Sequence, residues 1–247
     1  MSSRSASRRR RARADVTVPA VVGLAELVLA LGGRYSVEMG IDLDRDDEGV
    51  ERWFLAATLF GHRISARTVV RTHAALGRGG IRVIADIAGS SWEALVELLD
   101  EGGYVRYDFS TATRLQTLAT AVDERFGGRI ADLGRLVGDP AELEAALDAL
   151  PGWGPTTVRI FLRELRGRWP AARPSVDPRA EWAAGHVGLP RPSDTQHAGT
   201  LAGLEAMAAE AGVDVRDAEV ALIRLTLAHA RRARACRGGT ACLALQG

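Results

Sequence analysis

Apolar positions along this chain recur at intervals of three and four residues, the helical period, and almost nowhere alternate as a strand requires. Residues 49–60 (GVERWFLAATLF) are mostly apolar and read as a buried helix. Residues 65–77 open on a serine and close on a glycine. Residues 90–101 open Ser-Ser-Trp-Glu, with Ser90 and Glu93 set as a capping box, and close at Gly102-Gly103. Residues 110–126 place Leu115, Leu118, Val122 and Phe126 on one face and stop at Gly127-Gly128. Residues 139–149 begin with Asp139 as N-cap, Pro140 in the first turn and Glu142 after it. Further helices are expected near 19–31, 155–166, 178–187, 199–211 and 217–235. The pattern predicts an all-α protein with short connections between antiparallel neighbours and no internal repeat.

Composition narrows the chemistry. The 247 residues are 47% hydrophobic and 26% charged, enough to build a core of one large or two small domains. All 32 basic residues are arginine; there is no lysine. That excludes lysine Schiff-base chemistry and the phosphate loop that ends in Gly-Lys-Ser/Thr. Two cysteines, Cys236 and Cys242, exclude a disulfide scaffold and do not fill a four-cysteine metal site. No apolar run approaches the ~18 residues of a spanning helix. The arginine-rich start followed by VTVPAVVGLAELVLALGG has the outline of a secretory leader, but Asp15, Pro19 and Glu26 interrupt it and no cleavage site follows convincingly. A cytoplasmic protein, associated with the nucleoid, is the expectation.

The net charge of +1 conceals an asymmetry. Residues 1–15 carry six arginines and one acid and are expected to be a disordered tail; residues 231–247 carry four arginines and no acid. The body between them holds 22 arginines against 30 acids, a net of −8. A nucleic-acid module is usually basic overall, so DNA binding here must rest on local strips. One runs from His62 to Ala85, with Arg63, Arg67 and Arg71 four apart on one helix face. A second spans 150–182, with Arg159 and Arg179 among six arginines. A solvated helix face explains such strips as well as phosphate binding does.

The informative segment is Leu150-Pro151-Gly152-Trp153-Gly154-Pro155-Thr156-Thr157-Val158. Pro151 ends one helix, Gly152 and Gly154 permit a tight hairpin, and Pro155 suits the first turn of the next. The free N–H groups of that second helix suit an anion such as a DNA phosphate; an ordinary turn between packed helices is the competing reading. This segment, with Ser175-Val176-Asp177-Pro178-Arg179 after it, resembles the helix-hairpin-helix DNA glycosylases of the endonuclease III superfamily. Their hairpin reads Leu-Pro-Gly-x-Gly-x-x-Thr-Ala and a catalytic aspartate follows within Val-Asp. Leu150, Pro151, Gly152, Gly154 and Thr157 match, with Val158 in place of the alanine. The resemblance covers residues 49–190.

The resemblance implies a six-helix barrel over 49–164 that ends in the hairpin, and a second helical domain from 16–48 and 165–247. Double-stranded DNA would lie across the groove between them, bound by a monomer through Pro151 to Thr157, with a base flipped out of the stack. Asp177 would be the catalytic acid; an N-cap of the helix that follows is its plain structural reading, and the two are compatible. Bifunctional members carry a lysine where this chain has Thr156. A lysine-free chain implies a monofunctional enzyme that uses water and leaves an abasic site, with Thr156 as a pocket wall. His62 sits where relatives place a wedge residue, and Tyr104 of Gly103-Tyr104-Val105-Arg106-Tyr107 matches a second wedge loop. A helix-end histidine and a core tyrosine are the competing readings. Many relatives hold an iron–sulfur cluster through four C-terminal cysteines. Two are missing here, so no cofactor is expected. A residual zinc site of His229, Cys236 and Cys242 is the minor alternative. A non-catalytic DNA-binding protein with the same fold is the alternative function.

Overall fold

The helix boundaries follow from local chemistry at each N-terminus. In this computed structural model, which describes residues 22–61, 64–229 and 236–245, α1 spans Leu24–Leu31, α2 Tyr35–Glu38 and α3 Asp47–Leu59. The chain continues with α4 (Ala66–Arg78), α5 (Trp92–Gly102), α6 (Asp108–Phe126), α7 (Leu133–Leu136) and α8 (Pro140–Asp148). It ends with α9 (Pro155–Glu164), α10 (Pro178–His186), α11 (Thr200–Glu210) and α12 (Val215–His229). No strand occurs among the described residues. Side chains that accept from orphan backbone N–H groups start five of these helices: Asp46, Ser65, Ser91, Asp139 and Asp177. Asp139 accepts from both Ala141 and Glu142, as its Asp-Pro-x-Glu context predicts.

One expectation shifts. The cap of α5 is Ser91, which accepts from Ala94 N at 3.1 Å. Ser90 instead ends the short 3-10 turn Ile84–Gly89, because that turn uses up the residues before it. The four-residue helices α2 and α7 carry too short a pattern to be read. The arginine-rich tail, His62, Arg63 and residues 230–235 of the last expected helix lie outside the described residues.

Buried apolar side chains form two clusters. The larger is built on α3, whose Trp53, Phe54, Leu55 and Leu59 are fully buried. Residues of α4 to α9 surround it, together with Tyr35, Ile41 and Leu43. Burial of each such side chain contributes roughly 1.5–3 kcal/mol. Phe54 stacks on Trp153 at 4.6 Å and meets Phe161 edge-on at 5.7 Å. The smaller cluster joins Leu24 and Leu27 of α1 to Ala180, Ala183 and Ala184 of α10. Leu204 of α11, Leu222 and Leu225 of α12, and Cys242 complete it.

Ionic contacts stitch the two clusters. Arg216 at the start of α12 reaches Asp44 at 2.8 Å and Asp214 at 2.6 Å. Arg34 reaches Asp217 at 3.0 Å. Arg166, after α9, pairs with fully buried Glu219 of α12. Glu164, also fully buried, accepts from the backbone N–H of Tyr35 and of Ser36, each at 2.9 Å. It thereby caps α2 from the end of α9.

Candidate functional site

Asp177 occupies the N-cap of α10, placed there by the Pro178 that follows it. Its Oδ1 accepts from Arg179 N and Arg179 Nε, each at 2.9 Å, and its Oδ2 from Arg179 Nη2 at 2.6 Å. Both carboxylate oxygens are therefore engaged by one neighbour, and the residue is only 3% exposed. Burial pushes its pKa up, but the hydrogen bonds and charge of Arg179, with the charge of Arg163 behind them, outweigh burial. They hold the carboxyl below the usual carboxylate range. Arg163 itself is buried, and its Nε has no hydrogen-bond partner among the described residues.

Residues that the sequence did not single out fix this aspartate in place. Asp177 N donates to Oε1 of Glu219 at 2.9 Å. The other oxygen of Glu219 takes Arg166 Nη1, and Arg166 Nη2 donates to Pro174 O at 2.9 Å. One buried carboxylate thus holds the segment 174–177 by its amide, and by its carbonyl through Arg166. The only signal in the sequence was an acid at position 219 within the apolar run of α12.

The hairpin is anchored elsewhere. Trp153 is buried against Phe54, and its Nε1 donates to Thr58 Oγ1 at 3.1 Å. Thr157 is buried as well, whereas Gly152, Pro155 and Thr156 are exposed at the tip. Gly152 has φ +79°, and a β-carbon there would lie 2.1 Å from Cδ of Arg114, so the turn and the closeness of Arg114 both require glycine. The end of α3 meets the hairpin directly: a β-carbon on Gly61 would lie 3.4 Å from Thr157 Oγ1.

The loop after α5 anchors on the same helix end. Tyr104 is buried, and its hydroxyl donates to Leu59 O. That location overturns its expected role as a wedge: the ring belongs to the core, and burial pushes its hydroxyl pKa well up. Its neighbour Val105 is 65% exposed and Arg106 is exposed beside it. Exposure is what the sequence could not assign within Gly-Tyr-Val-Arg-Tyr.

Arg67 and Arg71 are exposed on α4, and a β-carbon on Gly103 would lie 2.7 Å from Arg71 Nη2, which puts this helix face beside the loop. Neither arginine has an ion pair among the described residues. Arg78, Arg129, Arg135, Arg168, Arg173 and Arg224, in contrast, each meet an acid. Arg159 is half-buried in a cavity of about 210 Å³ shared with Glu144, Asp148, Pro155 and Pro174. The two acids there oppose a phosphate. Arg179, the remaining phosphate candidate, is occupied by Asp177.

The C-terminal end gathers four other chemistry-bearing groups. His186 ends α10, His229 ends α12, and Cys236 and Cys242 lie in the loop beyond. His186 was not singled out in the sequence, since it lies 43 residues from His229 and shows no ligand spacing to it.

No family model matches the chain, and no curated protein or solved structure matches it. No described helix is long and apolar enough to cross a membrane.

Proposed function

We propose that this chain is a monofunctional DNA glycosylase. It would flip a damaged or mismatched base and hydrolyse its N-glycosidic bond with water, assisted by Asp177. The observation that carries the reading is the convergence at the end of α3. The hairpin and the exposed Val105–Arg106 loop, which the endonuclease III resemblance assigns to duplex contact, stand there together with the unpaired Arg67 and Arg71 of α4, which the charge pattern alone singles out. Arg67 and Arg71 bind phosphates, the exposed hairpin tip presents the N-terminus of α9, and Val105 takes the wedge role in place of Tyr104.

The chemistry follows from the state of Asp177. The C1′–N bond breaks with its electron pair passing to the departing base, and positive charge develops on the sugar. A carboxylate kept ionised by Arg179 offers fixed negative charge to that cation. Water adds to C1′ and loses its proton as the new C–O bond forms. Because the electrophile is a cation, a weakly basic carboxylate suffices to accept the proton. For the sugar to approach, Arg179 has to release one oxygen, and a DNA phosphate is the competing partner for its guanidinium. With no lysine, no side-chain amine forms an imine with the sugar, so the strand stays intact.

A second reading, a non-catalytic DNA-binding protein, is favoured by one observation: both oxygens of Asp177 are satisfied by Arg179 and the residue is nearly inaccessible. One experiment separates the two. Duplexes that each carry a single uracil, mismatched adenine, alkylated or oxidised base are incubated with the protein and then split into samples with and without alkali. The glycosylase yields strand breaks only after alkali, and borohydride traps no adduct. Efficient borohydride trapping would exclude the water mechanism. Binding to duplex without release of any base would favour the second reading.

A further inference from the structure

We propose that His186, His229, Cys236 and Cys242 form a structural binding site for a single zinc ion. The site clamps the C-terminal loop onto the ends of α10 and α12. One ligand atom from each of the four residues lies within 4.8 Å of all the others. Cys236 Sγ and His186 Nε2 are 3.4 Å apart. A tetrahedral ion with bonds of about 2.3 Å to sulfur and 2.0–2.1 Å to nitrogen sets its ligands roughly 3.3–3.8 Å from one another. The four groups therefore need to close by no more than about 1.5 Å on the metal. Two thiolates and two imidazoles are a zinc donor set, and the four protein ligands leave no open position, which makes the site structural, not catalytic.

Three independent features point to a metal-binding role for these residues. His229 is 2% exposed, and its Nε2 has no hydrogen-bond partner among the described residues, an orphan that buried polar groups rarely tolerate. Cys242 is fully buried next to it, although nothing in the surrounding alanines and leucines calls for a thiol. Cys236 Sγ accepts from the backbone N–H of Leu243 at 3.3 Å and from that of Gly238, the usual support of a metal-bound thiolate. The loop that delivers these donors turns through Gly238 at φ +74° and Gly239 at φ +54°. A β-carbon on Gly238 would lie 2.2 Å from His186 O, so only glycine lets the loop close down on the histidine. Trp182 roofs the group: it stacks on His186 at 4.7 Å and tilts against His229 at 5.0 Å.

The closeness of the ligands distinguishes this site from an iron–sulfur cluster, including the two-iron kind held by two histidines and two cysteines. A four-iron cluster requires four thiolates, and it is far larger than one ion. A ligand spread within 4.8 Å leaves room for a single ion only. Nothing here depends on the glycosylase reading; the site holds the fold whatever the chain binds.

The test uses the full chain purified without a metal-affinity tag. Elemental analysis is expected to give about one zinc per chain and negligible iron. Replacement by cobalt is expected to give the intense visible bands of a tetrahedral site and the near-ultraviolet charge transfer of thiolate ligands. Cys236→Ser with Cys242→Ser, and separately His186→Ala, should each lower zinc content at least tenfold. The native cobalt spectrum needs no variant, so a failure of either variant to fold leaves the claim testable. Less than a tenth of a zinc per chain, with both thiols freely reactive in the native protein, would overturn the proposal. So would a Cys236–Cys242 disulfide, or about four irons per chain with broad visible absorption.

Discussion

Glu219 of α12 accepts the backbone N–H of Asp177 at 2.9 Å, so the candidate catalytic aspartate is oriented by a carboxylate that is itself fully buried and paired with Arg166. Removing one partner of a buried pair leaves the other charged and unsolvated, at a cost of about 3–5 kcal/mol. Glu219→Ala is therefore expected to lower the melting temperature by on the order of 10 °C in a chain of this size. A calorimetric shift below 2 °C would show that Arg166 finds water or another acceptor.

Asp177→Asn separates chemistry from capping. Asparagine caps a helix as well as aspartate does, so stability should change by less than about 1 kcal/mol. Base release should fall by orders of magnitude, because a neutral amide does not balance the sugar cation. Affinity for duplex should hold or rise slightly. Single-turnover release measured beside a binding isotherm decides the matter. Unimpaired release would remove Asp177 from the site.

The arginines of α4 give a prediction in salt. Each phosphate contact contributes a slope of about −0.9 in log affinity against log salt. Arg67→Ala with Arg71→Ala should flatten the slope by roughly 1.8 and weaken binding to all sequences alike. Arg135→Ala, which removes a pair with Asp47 away from this face, is the control and should leave the slope unchanged. Equal slopes for the double variant and the native chain would move the DNA elsewhere.

His73 predicts a pH dependence of stability. Burial, with the nearby charge of Arg52 adding to it, lowers its pKa to about 4. In the unfolded chain it titrates near 6.5, so as pH falls below 6.5 the unfolded state takes up a proton that the folded state refuses. Stability is full above 6.5 and is lost progressively down to about 4, by roughly 3 kcal/mol. His73→Leu should flatten that part of the curve, read from urea midpoints at pH 7 and pH 4.5. Asp44, Asp177 and Asp214 add a further loss at lower pH, since their arginine partners hold each below its usual range.

Much of the architecture was legible because helix starts are short-range chemistry. Asp139-Pro140 and Asp177-Pro178 announce their helices in two residues, and the structure caps both as expected. The stop after α6 was equally plain in Gly127-Gly128. Ser90 and Ser91 show the limit: two adjacent serines present the same cap, and only the 3-10 turn before them selects the second. Tyr104 and Val105 show it again, for which of two neighbours faces solvent depends on a contact with Leu59, distant in the chain. The partners of Glu219 and His186 were not readable. Each acts on a partner more than 40 residues away, and neither carries a spacing that marks it.

The hairpin and the aspartate answer to different cores. Trp153 is locked to α3 by a ring stack and a hydrogen bond, while Asp177 rides on α10 and takes its bearing from α12. Under the proposed function, grip on the duplex and alignment of the reacting atoms are consequently separable properties. On that reading, stress that slackens the ionic seam of Arg34, Arg216 and their aspartates would disturb the alignment first and the grip last. A warmed protein would then stall on its substrate, still seated and no longer turning over, and so shield the lesion it had found.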